Sequence, residues 1–419
     1  MQTCFSTRSG RTWLLASGMA LVLVLAACGG SGSDTAGGDG GTTQVLKVGL
    51  SAPSSGAAAG WGVGAKYVAE QAAMELNANG GITAGSHKCT FDIRFYDNEY
   101  NATTGAKVAQ TLIKRDKVDF IASSVGTAPM QALQALTEPA KIIHFTTAWG
   151  PDVKGPKYPY TFTSINTPFE LLDPLYSFVK KDHPDAATVS IINPNDATGQ
   201  QTEKVAQQVW AAKNVKVLGS EKYERGTTQF AGLATTIIRQ GAAILDMGTM
   251  PAGEAGLLMR ALVDQGWNGI RLAPGGTGGA DLVKAGGAAV EGTYMGLAAD
   301  FASPKATDTQ RRLASGLKTA TGESLNTVSI GAYDAMMAYA AAAKKAGSCT
   351  DQDAIRKALP EVVVPSSYGP AAFGGVKTYG TPEQLLLPIV VTQVQKGATI
   401  VLETIIPQEL QTRLHELGG

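Results

Sequence analysis

The amino-acid sequence predicts an α/β protein with two lobes, each a parallel β-sheet flanked by helices, and a ligand cleft between them. From residue 45 onward, strand-like stretches alternate with helix-like stretches, which is the pattern of parallel sheets with helices on both faces. The chain of 419 residues is long for a single sheet, and the alternation pauses at residues 151–168. Ligands of such sheets bind beyond the carboxyl ends of the strands, so two facing lobes enclose a cleft.

The first series of predicted elements precedes the pause. Residues 45–50 read as a strand, and residues 65–79 as a helix that ends at Gly80 and Gly81. Residues 91–96 alternate in polarity, as a half-buried strand does. The remaining elements of this series are a helix at 102–114, a strand at 120–122, a helix at 129–140 and a strand at 142–145.

The second series follows the pause and repeats the alternation. Its helices are predicted at 169–180, 199–214, 230–240 and 254–266. Its strands are predicted at 188–192, 215–219, 243–246 and 269–273. We therefore expect a second sheet with its own helices.

The N-terminus predicts an exported and lipid-anchored protein. Arg8 and Arg11 precede a mostly apolar run at 13–25, which is short for a membrane-spanning helix but suits the core of a signal peptide. The sequence Leu-Ala-Ala-Cys ending at Cys28 resembles a bacterial lipobox, in which the cysteine becomes the lipidated N-terminus once residues 1–27 are removed. The rest of 28–44 is rich in Gly, Ser, Asp and Thr and reads as a flexible tether. The alternative is an ordinary signal peptide with a chance cysteine.

Charge and cysteine content limit the classes of function. The 35 Lys and Arg residues balance 35 Asp and Glu residues, and loss of a signal peptide leaves a slight acidic excess, which argues against nucleic acid as a partner. The histidines lack metal-ligand spacing, so we expect no metal. We expect no cofactor either. Beyond Cys28 the sequence contains only Cys89 and Cys349, which outside the cytoplasm either pair or stay free.

Motifs of catalysis are missing from the sequence. Ser123 and Ser124 lie in Ala-Ser-Ser-Val-Gly-Thr, which is not the Gly-x-Ser-x-Gly elbow of α/β-hydrolases, and no P-loop motif occurs. Residues 60–65 match a dinucleotide fingerprint formally, but residues 51–59 separate them from the strand, so their glycines read as loop residues. Residues 275–279 either bind an anion or form a flexible loop. We expect no enzyme; a secreted serine hydrolase is the least favoured alternative.

Several segments together resemble a known family. They are VGLSAPSSGAAAGWG at 48–62, MELNANGGI at 74–82, VDFIASS at 118–124, GTTQF at 226–230, VEG at 290–292 and AYDA at 332–335. These stretches are similar to the leucine/isoleucine/valine-binding proteins of ABC importers, which are type I periplasmic binding proteins. The resemblance extends over roughly residues 45 to 405.

The resemblance implies two lobes joined by three crossings, near residues 163–168, 296–301 and 359–365. Lobe 1 is then expected to comprise 45–165 and 299–362, and lobe 2 to comprise 166–298 and 363–419. The resemblance also implies an extracytoplasmic monomer that closes on a small-molecule ligand by a hinge motion. The protein would then deliver this ligand to ABC permease subunits. The lipid anchor would be its attachment to the membrane. A sensory protein that signals to a membrane receptor uses the same closure and stays an alternative.

The resemblance assigns ligand contacts in lobe 1 position by position. Ser124 matches a serine that hydrogen-bonds the ligand carboxylate, with Thr127 beside it at a predicted helix start, where free amides also suit an anion. The other interpretation is that these hydroxyls only cap the helix. Thr147 and Trp149 match strand-end contacts, although a small polar residue is usual in place of the tryptophan. Trp61 matches an aromatic wall of the site.

Lobe 2 departs from the family pattern. Thr198 stands where a tyrosine is usual, and Gly275 lies where amino-acid binders have a glutamate for the ligand ammonium. A buried ammonium without a carboxylate costs several kcal/mol. We therefore expect an α-amino acid ligand only if Asp196, Asp246 or another acid substitutes.

Met247 and Met250 follow the next strand and are either adaptable apolar contacts or core. The sequence thus predicts a partly apolar ligand with a carboxylate or amide group. The candidates are a branched-chain or other hydrophobic amino acid and an aromatic or aliphatic acid.

Overall fold

The computed structural model describes residues 42–275, 278–296, 301 and 303–418. The predicted signal peptide, the predicted lipidation site Cys28 and the tether up to residue 41 lie outside the described residues. Residues 43 and 44, which we assigned to the tether, instead begin the first strand, because they pair with Lys88 and Cys89. No helix of the described chain is long and apolar enough to cross a membrane.

The elements up to residue 163 build the first lobe. Its strands are β1 (Thr43–Ala52), β2 (Ile82–Ala84), β3 (His87–Asp97), β4 (Phe120–Ser124), β5 (His144–Thr146) and β6 (Thr161–Thr163). Its helices are α1 (Ala59–Asn77), α2 (Ala102–Gln110) and α3 (Thr127–Thr137), and a π-helical segment at Thr111–Asp116 extends α2. The predicted elements are present, with β2 added and α1 starting earlier than expected.

The elements from residue 168 to 295 build the second lobe. Its helices are α4 (Pro168–Asp182), α5 (Ala197–Ala212), α6 (Ala231–Gln240), α7 (Ala252–Asp264) and α8 (Gly279–Gly286). Its strands are β7 (Thr188–Pro194), β8 (Lys216–Tyr223), β9 (Ile244–Asp246), β10 (Ile270–Ala273) and β11 (Tyr294–Met295).

The remaining elements serve both lobes. The helices are α9 (Asp308–Thr321), α10 (Thr327–Ala346), α11 (Gln352–Ala358), α12 (Val376–Tyr379) and α13 (Gln408–Leu417). The strands are β12 (Val364–Ser366), β13 (Gly369–Gly374), β14 (Gln384–Leu386), β15 (Ile389–Gln395) and β16 (Ala398–Ile405). Short 3-10 turns occur at Gly56–Ala58, Ala78–Gly80, Pro151–Val153, Gly287–Val290 and Leu359–Glu361.

The strands form two sheets, which confirms the predicted two-lobed α/β class. The first sheet has the order β12-β13-β14-β6-β5-β4-β1-β3-β2, and the second has the order β16-β15-β11-β10-β9-β7-β8. The central strands pair in parallel, as predicted. Antiparallel pairs extend the edges of both sheets. Short turns join β2 to β3, β12 to β13 and β15 to β16 directly, whereas α12 lies between β13 and β14.

The connections between the sheets correct one expected lobe boundary. The chain leaves the first sheet between β6 and α4, within the expected 163–168. Part of the second expected crossing, 297–300, lies outside the described residues. The third crossing lies at Leu387 and Pro388 rather than near 359–365, because β12, β13 and β14 all belong to the first sheet. The boundary placed at residue 362 is therefore corrected, and α13 returns to pack on β13.

Trp61 lies in the first turns of α1 and not in the loop that its flanking glycines suggested. A Cβ atom on Gly62 would lie 2.0 Å from the backbone oxygen of Pro53, and one on Gly64 would lie 2.4 Å from Oγ of Ser329. The glycines lower the helix propensity of this stretch. They are nevertheless needed here, because they let α1 approach its neighbours closely.

Each lobe has its own apolar core. In the first lobe Phe120 of β4 stacks on Tyr339 of α10, with ring centroids 3.7 Å apart. In the second lobe Tyr176 of α4 stacks on Trp210 of α5, with ring centroids 3.9 Å apart. Separate cores let the lobes move as rigid bodies about the crossings.

Cys89 and Cys349 form a disulfide, so the alternative of free thiols does not apply. The bond joins β3 to the loop after α10, and both residues are fully buried. Their separation of 260 residues means that the bond restricts a very long loop of the unfolded chain. The disulfide therefore stabilises the first lobe.

Replacing both cysteines by serine should lower the free energy of unfolding by about 2–5 kcal/mol, because the unfolded chain gains entropy. Urea unfolding with and without a reductant measures the loss. The reductant should destabilise the wild type and leave the Cys89→Ser/Cys349→Ser variant unchanged; an equal effect on both would assign the loss to another cause.

Candidate functional site

A small cavity lies between the lobes, at the carboxyl ends of the parallel strands. Its lining residues are Trp61, Tyr100, Val125, Gly126, Thr147, Trp149 and Val328 of the first lobe and Thr198 and Thr249 of the second. Most of them directly follow β3, β4, β5, β7 or β9. The cavity measures about 20 Å³, which is room for about one water molecule. A larger ligand therefore requires the side chains or the lobes to move.

Hydroxyl groups join the lobes at the rim of this cavity. The Thr198 hydroxyl donates to Oγ1 of Thr127 over 2.7 Å, and the backbone N–H of Thr127 donates to Oγ1 of Thr198 over 3.3 Å. The Tyr100 hydroxyl lies 3.2 Å from the same Thr198 oxygen. Thr127 also accepts a hydrogen bond from the backbone N–H of Gly150 over 3.2 Å. Thr127 thus bridges the lobes, while Thr198 both bridges them and lines the cavity.

Ser124 is turned away from the cavity that we expected it to line. Its Oγ lies 2.7 Å from Nε2 of His144, and Nδ1 of that ring lies 3.2 Å from Oγ1 of Thr137. All three side chains are fully buried. The strand pleat directs Ser124 towards His144, whereas the following residues, Val125 and Gly126, line the cavity.

The Ser124–His144 pair is not suited to nucleophilic catalysis. Burial lowers the pKa of His144 to about 3, so the imidazole is neutral at ordinary pH and a poor base. Its two ring nitrogens have hydroxyl partners, as a neutral ring with one donor and one acceptor requires. This geometry disfavours the serine hydrolase alternative.

Thr147 presents the most available polar group of the cavity. Its Oγ1 is buried and has no hydrogen-bond partner among the described residues. Its backbone N–H donates to the backbone oxygen of Ser124 over 3.0 Å, which fixes the residue at the end of β5. A buried hydroxyl without a partner is unfavourable, so it is prepared to bond a ligand.

Aromatic rings supply most of the apolar lining. The ring centroids of Trp61 and Tyr100 lie 5.7 Å apart. Trp149 donates its indole N–H to the backbone oxygen of Asn166 over 2.9 Å. Gly275 lies against the Trp149 ring, because a Cβ atom there would be 2.2 Å from it. Trp61 and Trp149 thus line the cavity, and Gly275 packs against the ring of Trp149.

The acids that we considered as partners of a ligand ammonium are engaged elsewhere. Asp196 accepts from Nε of Arg225 over 2.5 Å and caps α5 through the backbone N–H of Gly199. Asp246 is fully buried and accepts from the Tyr176 hydroxyl and from Nε1 of Trp210. Within the described part of the chain, no acidic side chain lines the cavity.

Met247 and Met250 lie in the apolar core of the second lobe. Both are almost completely buried and pack in the cluster that contains Leu258 and Met259 of α7. They are absent from the described lining of the cavity. The structure therefore favours the core interpretation of both residues.

Sequence reasoning missed several residues of the site. Tyr100 and Thr249 follow predicted strands, so their position after a strand end could have identified them. Val328 comes from the start of α10, and no local signal predicts its place in the cavity. Arg225 was also missed; its guanidinium carbon lies 4.2 Å from the centroid of the Tyr100 ring, so a cation–π contact crosses between the lobes.

Comparison with known proteins agrees with this architecture. A family model described as periplasmic binding protein matches residues 45–399. The chain is 25% identical over 316 residues to Leu/Ile/Val-binding protein homolog 3 of Brucella melitensis biotype 1, which covers 75% of this chain and 83% of that protein.

Solved structures share the fold at lower identity. A leucine-binding protein from Thermotoga maritima superimposes with a TM-score of 0.75 at 18% identity, covering 87% of this chain and all (100%) of that one. A solute-binding protein of an ABC transporter from Rhodopseudomonas palustris BisB5, in complex with 3,4-dihydroxybenzoic acid, gives a TM-score of 0.71 at 20% identity over 86% of this chain and 97% of that one. Because the family model spans most of the sequence, the chain belongs to the periplasmic binding protein family, a class of extracytoplasmic solute-binding proteins.

Proposed function

We propose that this protein is the monomeric solute-binding component of an ABC importer and that it delivers a small ligand to a membrane permease. The proposal rests on the family and on a cleft in which two lobes with separate cores meet through a few hydroxyl and ring contacts. Such contacts are weak enough to break and re-form as a hinge opens and closes. Ligand contacts from both lobes then favour the closed form.

We propose further that the ligand is a hydrophobic or aromatic acid rather than an α-amino acid. The observation that carries this proposal is the chemistry of the cavity, which offers the hydroxyls of Thr147, Thr198 and Thr249 beside aromatic rings. Hydroxyl groups bond a carboxylate well, but an ammonium group has no acidic partner among the described lining residues. The complex of the Rhodopseudomonas palustris relative with 3,4-dihydroxybenzoic acid is consistent with an acid of this kind.

Attachment to the membrane through Cys28 is a separate part of the proposal. Its support is the lipobox-like sequence before Cys28 and the Gly- and Ser-rich tether after it. A lipidated cysteine at the end of a tether would hold the soluble lobes close to the permease.

An acid should bind more tightly than the α-amino acid of the same skeleton. Calorimetric titration with 4-methylpentanoate and leucine isolates the ammonium group, because these compounds share their branched chain and carboxylate. We expect 4-methylpentanoate to bind at least about tenfold more tightly, since burial of an unpaired ammonium costs more than 1.4 kcal/mol. Tighter binding of leucine would contradict the proposed ligand class.

Replacing Thr147 by valine should weaken binding of a carboxylate ligand by about 1.5–3 kcal/mol, which is roughly 10- to 150-fold in Kd, because a hydrogen bond to a charge is lost. Thr163→Val is a matched control, since Thr163 is also a fully buried threonine whose Oγ1 has no partner among the described residues, and it does not line the cavity. Equal effects of the two variants on Kd would remove Thr147 from the site.

Replacing Cys28 by alanine should remove the lipid and its mass from the protein, because the thiol that carries the lipid is lost. Fractionation of cells and intact-mass measurement of the purified protein check this. Cys4→Ala is the control, because Cys4 lies in the predicted signal peptide and should leave anchoring unchanged. A wild-type protein whose intact mass lacks an added lipid would contradict lipidation at this residue.

A further inference from the structure

Trp149 belongs to the first lobe but packs against the second. It follows β5, and its ring joins the apolar cluster that contains Leu171 and Leu172 of α4. Its indole N–H is held by the backbone oxygen of Asn166 in the first crossing over 2.9 Å. The Asn166 side chain in turn donates to the backbone oxygen of Pro388 in the third crossing over 3.1 Å. The ring is therefore fixed at the point where two crossings lie side by side.

The second lobe contacts this ring through Gly275, which has no side chain. A Cβ atom on Gly275 would lie 2.2 Å from both Cη2 and Cζ3 of Trp149 and 2.8 Å from Cζ2. Such distances are impossible, so the end of the ring occupies the space that any side chain at position 275 would need. The Gly275 backbone is itself held, because its N–H donates to the backbone oxygen of Gly248 over 3.1 Å. The contact thus joins two positioned groups from opposite lobes.

This contact is one of several that join the lobes around the cavity. Trp149 is only 6% exposed, and it also lines the cavity together with Trp61 and Tyr100. With the ring seated on Gly275, the cavity keeps only about 20 Å³. A ligand therefore enters only when the side chains or the lobes move, and it then lies beside the rings of Trp61, Tyr100 and Trp149, on which a planar ring can stack.

We propose that Trp149 seated on Gly275 is the specificity-determining contact of the cleft, and that it selects flat, unsaturated acids over saturated acids of the same size. The proposal rests on the proposed function and narrows its ligand class. It gives two departures of this chain from the family pattern, Trp149 and Gly275, one physical reason, because a large ring at position 149 requires the absence of a side chain at position 275.

The test compares benzoate with cyclohexanecarboxylate, which differ in flatness and share ring size and charge. Calorimetric titration of the wild type should show tighter binding of benzoate. Trp149→Leu should reduce the ratio of the two dissociation constants by about threefold to tenfold, which is the worth of an aromatic stacking pair. An unchanged ratio in Trp149→Leu, or a wild type that prefers cyclohexanecarboxylate, would overturn the selection of flat ligands.

The glycine is tested by adding one methyl group. Gly275→Ala should weaken benzoate binding strongly, because the methyl group separates the lobes or expels the ring, and Trp149→Leu/Gly275→Ala should recover much of the loss. Gly253→Ala is the matched control: Gly253 is an exposed glycine of α7, and an added Cβ there meets no atom within 4 Å. Equal binding by the Gly275→Ala and Gly253→Ala variants would overturn the proposal.

A measurement without ligand separates this proposal from the proposed function. If the wild type binds neither acid, the proposed ligand class fails, and thermal unfolding still tests the contact. In the wild-type background, Gly275→Ala should then lower Tm. In the Trp149→Leu background, Gly275→Ala should change Tm by no more than Gly253→Ala does. The same loss of Tm in both backgrounds would show that the ring and the glycine do not meet, and would overturn the proposal.

Discussion

Parallel pairing of the central strands is the constraint on which the rest of the structure depends. Because β1, β3, β4 and β5 run in one direction, and β7, β9 and β10 share a direction in the second sheet, the segments that follow these strands collect at one edge of each sheet. Thr147, Thr198 and Thr249, each from such a segment, meet at the cavity between the lobes. The cleft is thus a consequence of strand direction and needs no dedicated domain.

Local hydrogen bonding decides which polar groups a ligand can reach. The carboxylate of Asp246 is enclosed by Tyr176 and Trp210, and that of Asp196 by Arg225 and the start of α5. These partners stabilise acids that would otherwise be costly to bury, and they also remove the acids from the cavity. The groups that line the cavity are neutral and include threonine hydroxyls and aromatic rings. The Thr147 hydroxyl has no hydrogen-bond partner among the described residues.

Closure joins the two lobes through small and specific contacts. Thr127 and Thr198 exchange hydrogen bonds, Tyr100 stacks on Arg225, and Trp149 rests on Gly275. Each lobe has its own apolar core in addition to these contacts. A hinge can therefore open while both lobes stay folded. The crossings at Asn166 and Pro388 are bonded to each other, which suits them as a common axis for such motion.

The sequence by itself determined the order and direction of most elements, because apolar periodicity and glycine stops report local structure. The resemblance to the family pointed to Thr147, Trp149 and Thr198 as ligand contacts, and these residues line the cavity between the lobes. Only the tertiary structure decided that Ser124 turns to His144. The reason is that a strand pleat and a buried partner, and not the motif, direct the side chain.

Contacts between residues distant in the chain were likewise decided only in three dimensions. The pairing of Cys89 with Cys349, the place of β12, β13 and β14 in the first sheet, and the entry of Val328 into the cavity all depend on such contacts. Local patterns fix which segment forms a strand or a helix. They do not fix which distant segments meet, because that depends on how complementary surfaces pack once the lobes have formed.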